Sequence, residues 1–102
     1  MNREQNITFG TLRKFLSRID RLSICREETL EYKNYIFLHD VPEDYNHLYV
    51  YGIGMIESEF YEEGEGMYST SGNREKLVFL PCIEVLLAEK PRVFDSKDAN
   101  TI

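Results

Sequence analysis

The chain has 102 residues, of which 42% are hydrophobic and 13% aromatic, so it can bury one modest core and is too apolar for a disordered chain. Its formal net charge of −6 is unevenly distributed, because residues 1–26 carry six basic and two acidic side chains, whereas residues 27–68 carry one lysine and eleven acids. This charge argues against direct nucleic-acid binding, and no apolar run is long enough to span a bilayer.

The N-terminal stretch and the cysteines indicate the cellular compartment. The opening stretch MNREQNITFG lacks the layout of a signal peptide, so we expect a soluble cytoplasmic protein. Cys25 and Cys82 are too few and too far apart for a disulfide framework or a zinc knuckle. We predict two buried thiols in a reducing compartment, with a single bridge between neighbouring strands as the alternative.

The first predicted element is an amphipathic helix. After a lead-in from Met1 to Phe9, Thr11 is a candidate cap for a helix with a buried stripe formed by Leu12, Phe15, Leu16 and Ile19. The opposite face is basic, with Arg13, Lys14, Arg18 and Arg21. We expect that face to be solvated and paired with the acidic centre of the chain, and RNA binding is the alternative.

Four strands are predicted to follow. Leu22–Glu28 and Glu31–His39 form the first two, and Pro42 marks the turn after them. The third strand, Leu48–Phe60, is the longest aromatic and β-branched run, and its two glycines indicate a bulge or a sharp coil. After a polar connection over residues 64–76, the fourth strand covers Lys76–Leu87.

Pro81 leaves two interpretations of the last strand open. It marks a bulge or an edge position within the strand, or alternatively it is the first residue of a short helix. We favour the strand, and predict one α+β domain over residues 1–90, in which the N-terminal amphipathic helix packs on a four-stranded, mainly antiparallel sheet. Residues 91–102 are expected to form a flexible tail.

Catalytic and metal-binding patterns are weak. The cluster His39, Asp40, Glu43, Asp44 and His47 has the right side chains but surrounds a turn and does not match a metal-site spacing. Nothing close in sequence activates Cys82, and neither glycine pair resembles a phosphate loop. We therefore predict no catalytic residue, no metal, no cofactor and no enzymatic activity.

The third strand and the segment after it carry the strongest functional signal. Five glutamates, which we call the acidic strip, lie close in sequence to three tyrosines: Glu57, Glu59, Glu62, Glu63 and Glu65, with Tyr49, Tyr51 and Tyr61. Tyrosine is enriched at protein interfaces, and alternate carboxylates on a strand repeat at about 7 Å, close to the phosphate spacing of a nucleic-acid strand. The alternative is that the tyrosines pack in the core and the glutamates maintain solubility.

The order of the predicted elements resembles that of short accessory proteins of Gram-positive phages, plasmids and conjugative elements. The likeness covers roughly residues 8–90 and depends on Thr11 ahead of Phe15-Leu16, the Val41-Pro42 turn and Tyr45. Some small acidic proteins from such elements are anti-CRISPR inhibitors that block a Cas nuclease, several by occupying its DNA-binding surface. The resemblance implies that kind of partner and transfers no binding residue to this chain.

These observations give two functional hypotheses. The first is a non-enzymatic inhibitor in which the acidic strip and its tyrosines bind a basic surface of a nucleic-acid-binding protein such as a Cas nuclease. The second is a self-associating module, possible as a homodimer, in which an exposed edge strand such as Lys76–Leu87 pairs with a second copy and the acids maintain solubility.

Overall fold

The computed structural model describes residues 7–91. This part of the chain contains six strands, β1 (Ile7–Thr8), β2 (Leu22–Arg26), β3 (Tyr32–Tyr35), β4 (Tyr49–Gly64), β5 (Met67–Ser69) and β6 (Leu77–Ala88). It also contains one α-helix, α1 (Phe9–Arg13), and three short 3₁₀ segments, Leu38–Asp40, Glu43–His47 and Arg74–Lys76. Residues 92–102 of the expected tail, and residues 1–6 of the expected lead-in, lie outside the described residues.

The strands form one sheet in the order β1-β4-β6-β2-β3, and β5 pairs with β4. β4 and β6 are antiparallel along most of their length, from the Tyr49–Ala88 pair to the Tyr61–Leu77 pair. β2 and β3 form an antiparallel hairpin, whereas β2 and β6 run parallel. The predicted α+β fold is therefore wrong: the described chain is mostly β, with six strands in a mixed sheet and a helix of five residues.

The predicted helix is wrong in position and length. Thr8, rather than Thr11, caps α1 by accepting a hydrogen bond from the Thr11 backbone N–H at 3.3 Å. Beyond the helix, the Asp20 carboxylate accepts from the Ser17 backbone N–H at 2.9 Å. Short polar side chains that bond the backbone in this way compete with helical hydrogen bonds. As a result Phe15, predicted to be buried, is 80% exposed.

The third predicted strand is longer than its predicted range, and the connection after it contains a further strand. The strand predicted at Leu48–Phe60 is confirmed as β4 and continues to Gly64, with a shift in pairing between Val50 and Gly52 that confirms the expected bulge. The region predicted as a polar connection contains β5, which follows a tight turn at Glu65 and Gly66. Gly66 has a φ of +72°, a conformation that glycine adopts without strain.

The strand interpretation of the Pro81 segment is confirmed by β6. Within β6, residues 83–87 pair with β2, so Pro81 has β4 as its one neighbouring strand. Its carbonyl accepts a hydrogen bond from Arg21 Nε at 3.1 Å on the side away from β4. Because the N–H and C=O of one strand residue point to the same side, the missing donor of Pro81 removes no bond of the β4–β6 ladder.

The principal core lies on one face of the sheet. Leu22, Ile24, Val85 and Leu87 alternate inward on neighbouring strands and are almost fully buried. Phe9 and Leu12 of the amino-terminal segment cover them, together with Leu38, Val41 and Leu48 from the segment between β3 and β4. The packing of these residues stabilises the half of the sheet that contains β1 and β2.

The opposite face is buried because the sheet curls. Asn34 of β3 donates through Nδ2 to the Glu59 carbonyl at 2.9 Å and accepts from Ser58 Oγ at 3.1 Å, so the β3 edge lies against the middle of β4. Phe60, Ser23 and Cys82 are at most 2% exposed inside this curl. The curl thereby brings β3 beside the first glutamates of the acidic strip.

Candidate functional site

The outward-facing positions of β4 form a mixed apolar and acidic row. Ile53, Met55, Glu57 and Glu59, which we call the outer rib, are all exposed, while the intervening Gly54, Ile56 and Ser58 are partly buried. This is the alternation expected of a strand with one covered face. Ile53 is 54% exposed and Met55 is 69% exposed, because α1 and the 3₁₀ segments cover only the other half of the sheet.

β6 adds an aromatic ring beside the outer rib. Phe79 pairs with Glu59 in the β4–β6 ladder and is 59% exposed, and Pro81 pairs with Glu57. Directly paired residues have Cβ atoms about 5 Å apart on the same face of a sheet. The two carboxylates therefore project from an exposed surface with substantial apolar character.

The remaining glutamates of the acidic strip lie at the far end of β4. Glu62 and Glu63 are its last acidic residues, and Glu65 lies in the turn to β5; all three are exposed. The Glu63 carboxylate accepts a hydrogen bond from Ser69 Oγ at 2.5 Å. Tyr61 is partly buried, and Gly72 packs so closely on it that an added Cβ would lie 3.2 Å from the Tyr61 Cβ. Tyr61 is thus the one predicted anchor placed among the glutamates.

Tyr49 and Tyr51 lie at the opposite end of β4. Tyr49 pairs with Thr8 and Ala88, and Tyr51 is the extra residue at the bulge. Burial raises the pKa of the Tyr51 phenol, and the charges of Cys25, Glu28 and Glu84 raise it further. Since a strand rises about 3.3 Å per residue, Tyr51 is roughly 20 Å from Glu57 along β4. The structure therefore separates these two tyrosines from the acidic strip.

The acidic strip keeps its charge unpaired within residues 7–91. None of its five carboxylates forms an ion pair with a described lysine or arginine, and the arginine ion pairs there are those of Arg26 with Glu28 and Glu89. Arg13, on the predicted basic face, donates instead to Asn46 Oδ1 at 2.8 Å and to two backbone carbonyls. The expected pairing of that face with the acidic centre is absent from this part of the chain.

A cleft of about 370 Å³ lies between β3 and the acidic end of the outer rib. Its walls include Tyr32, Asn34, Glu57, Glu59 and Phe79. The Tyr32 hydroxyl donates to Glu84 Oε2 at 2.5 Å, and this bond, followed by burial, raises the pKa of Tyr32 to about 12. The cleft is open, and its volume is at the lower end of the range of ligand pockets in proteins.

Sequence reasoning missed the non-acidic residues of this site. The alternation of Ile53, Met55, Glu57 and Glu59 is a signal that was available, because every second residue of a strand faces the same side. No local signal places Tyr32 or Phe79 beside Glu59, since their approach depends on the curl of the sheet and on pairings between distant segments.

The cysteines and the histidine cluster considered for catalysis lie outside the cleft. Cys25 and Cys82 are buried free thiols, and burial is the main cause that raises the pKa of each. His39 Nε2 lies 3.4 Å from Asp40 Oδ1, and its ring stacks on Phe37 with 5.6 Å between centroids. Among residues 7–91, no three histidine, cysteine or acidic side chains are grouped so that they would hold a metal ion.

Comparisons with protein-family models, with curated proteins and with solved structures found no match to this chain. Within the described range, no helix has the length and apolar character needed to cross a membrane.

Proposed function

We propose that this protein is a non-enzymatic binding module whose acidic strip docks on a basic surface of a nucleic-acid-binding protein. The observation that carries the proposal is that five exposed carboxylates lie along the end of β4 and the turn after it, without a cationic partner among the described residues. A Cas nuclease, the partner implied by the resemblance, belongs to this class.

The surface combines two kinds of contact that protein interfaces use. The carboxylates attract a basic partner at long range and increase the association rate, an effect that salt weakens. The exposed apolar side chains of Ile53 and Met55 continue the outward row of Glu57 and Glu59, Phe79 pairs with Glu59, and all three provide area that water leaves on binding. These apolar residues, with Tyr61, replace Tyr49 and Tyr51 as the anchors nearest to the charge.

The test is a matched pair of charge reversals. One variant carries Glu59→Lys, Glu62→Lys and Glu63→Lys; the control carries Glu31→Lys, Glu43→Lys and Asp44→Lys, which change three exposed acids elsewhere by the same total charge. Displacement of labelled DNA from a panel of purified Cas nucleases, with and without guide RNA, measures competition for the nucleic-acid site.

The wild type and the control are expected to displace DNA, whereas the first variant fails to do so at an unchanged melting temperature. Equal behaviour of the two variants, or no displacement by the wild type from any nuclease of the panel, would remove the support for this function.

Self-association is the second candidate, and an open stretch of β6 favours it. Residues 83–87 lie between β4 and β2, so they are not an edge, whereas residues 77–81 pair with β4 alone. Pairing of that stretch with a second copy would form a dimer. Light scattering distinguishes the candidates: a concentration-independent dimer disrupted by Phe79→Pro supports the second, and a monomer at micromolar concentration contradicts it.

A further inference from the structure

We infer that the cleft between β3 and β4 receives the guanidinium group of an arginine side chain from the partner. The inference deepens the proposed function and rests on it, because it names the chemical group that docks at the start of the acidic strip. The occupant follows from the charge and the aromatic rings of the cleft walls.

The carboxylates of the cleft provide the charge complementarity. Glu57 and Glu59 are two residues apart on β4 and face the same side, so their Cα atoms are about 7 Å apart. Both line the cleft, and neither forms an ion pair with a described residue. A cation placed there has two possible carboxylate partners and displaces no existing one.

The aromatic walls favour a planar cation. Phe79, which is 59% exposed, pairs with Glu59 on the face of the sheet that carries both glutamates, and Tyr32, which is 53% exposed, lines the cleft from β3. Guanidinium is planar and weakly hydrated, stacks on aromatic rings and binds carboxylates through two parallel hydrogen bonds, whereas the lysine ammonium is compact and strongly hydrated. The cleft therefore fits arginine better than lysine.

The walls are held in place before any ligand arrives. Asn34 joins β3 to β4 through its hydrogen bonds with the Glu59 carbonyl and Ser58 Oγ, and the Tyr32 hydroxyl is held by Glu84. A site whose walls are already positioned loses less entropy when its ligand binds.

A neighbouring cavity lacks this complementarity. It measures about 380 Å³ and lies between β3 and β5, with Lys33, Asp40, Phe37 and Tyr68 in its walls. One lysine and one aspartate balance its charge, so it selects neither a cation nor an anion, and no glutamate of the acidic strip lines it.

The experiment uses the full chain labelled with ¹⁵N and three probes: acetylated, amidated tripeptides of arginine, of lysine and of citrulline. The arginine peptide is expected to shift the amide signals of residues 32–34, 56–59 and 79. We expect it to bind about threefold more tightly than the lysine peptide, because guanidinium adds stacking and paired carboxylate hydrogen bonds to the positive charge that both peptides carry. The neutral citrulline peptide should not bind.

Two variants locate the effect. Phe79→Ala is expected to reduce the preference for arginine over lysine, while Phe15→Ala, which removes an 80% exposed ring outside the cleft, leaves it unchanged. Glu57→Gln combined with Glu59→Gln should weaken both cationic peptides, and more than Glu62→Gln combined with Glu65→Gln, which removes the same charge outside the cleft.

Equal binding of the arginine and lysine peptides, or a preference of the same size in Phe79→Ala as in the wild type, overturns the inference even if the charge reversals above abolish partner binding. Conversely, intact partner binding after those reversals contradicts the proposed function while the tripeptide result stands on its own. The two failures are thus distinguishable.

Discussion

Arg13, the last residue of α1, attaches the amino-terminal segment to the segment between β3 and β4. Its Nη1 donates to Asn46 Oδ1 at 2.8 Å, and its Nη2 donates to the backbone carbonyls of Leu38, at 3.3 Å, and Val41. The guanidinium carbon also lies 5.1 Å from the centre of the Phe9 ring. We predict that replacing this side chain with methionine destabilises the fold through these lost contacts.

The size of the effect follows from the number and kind of bonds. Arg13→Met keeps an apolar stem beside Phe9 and removes three hydrogen bonds from a charged donor, each with a net value of about 1.5–3 kcal/mol when taken singly. Because bonds from one group are not additive, we expect the free energy of unfolding to fall by about 3 kcal/mol. For a domain of this size that corresponds to roughly 12–24 °C in melting temperature.

Urea denaturation followed by circular dichroism measures this loss. The matched control is Lys14→Met, which removes the same charge at the next, exposed position and should change the unfolding free energy by less than about 0.5 kcal/mol. Arg13→Lys should recover only part of the loss, because lysine lacks the forked donor geometry. A loss below about 1 kcal/mol for Arg13→Met, or an equal loss in the control, would refute the role assigned to these bonds.

Three further predictions concern β4, β6 and their neighbours. Gly52→Ala should lower the free energy of unfolding by about 1–3 kcal/mol in urea denaturation, since the added Cβ would lie 2.7 Å from Leu86 Cδ1. The pKa of Tyr32 is higher in the folded protein than its ordinary value of 10.0. Its contribution to the stability of the fold is therefore complete below pH 10 and is lost as the pH rises through about 12. NMR titration of ¹³C-labelled tyrosine measures that pKa directly. Cys82, a buried thiol with a raised pKa, should react with iodoacetamide slowly until the protein unfolds.

Each of these predictions has a control. An added Cβ at Gly64 would meet no atom within 4 Å, so Gly64→Ala should be nearly neutral, and equal losses at Gly52 and Gly64 would contradict the packing argument. Glu84→Gln should return the pKa of Tyr32 towards 10.0, because it removes the negative charge of the group that accepts the hydrogen bond of the phenol. Rapid alkylation of Cys82 in the native protein would show that its segment opens readily.

The main strands could be predicted from the sequence because their signals are local. β3, β4 and β6 contain β-branched or aromatic residues at many positions, β2 alternates Leu22 and Ile24 with Ser23 and Cys25, and each strand falls within or close to its predicted range. Their arrangement was not predictable in the same way. The parallel pairing of β2 with β6 joins segments more than 50 residues apart, and no local pattern specifies which strands are neighbours.

The helix was mispredicted because two signals conflict. Leu12, Phe15, Leu16 and Ile19 have helical spacing, but the side chains of Ser17 and Asp20 accept hydrogen bonds from backbone N–H groups within the same segment. A helix of five residues has little stability of its own and depends on its packing. Here Leu12 is buried in the core and Leu16 packs against it, whereas Phe15 and Ile19 are exposed.

The site was predictable only in part, for a related reason. The glutamates of the acidic strip were found because charge is visible in sequence, and their exposure follows from the cost of burying a carboxylate. The tyrosines were chosen by their proximity in sequence. In a strand of 16 residues, however, that proximity spans a long distance, and Tyr51 lies near Glu84 rather than near Glu57.

Folding accounts for the exposure of the two glutamates of the outer rib but not for the exposure of its two apolar residues. A shift of one residue in the pairing of β4 would turn Glu57 and Glu59 inward, so the exposure of both carboxylates is part of what defines the native pairing. The exposure of Ile53 and Met55 has no such cause, because polar residues at these outward positions would fold equally well and expose less apolar surface. Stability therefore gives no reason for their presence in one row with the glutamates, beside Phe79, whereas the proposed binding function does. Substituting Ile53 and Met55 with threonine should leave the unfolding free energy within about 0.5 kcal/mol of its original value while weakening partner binding.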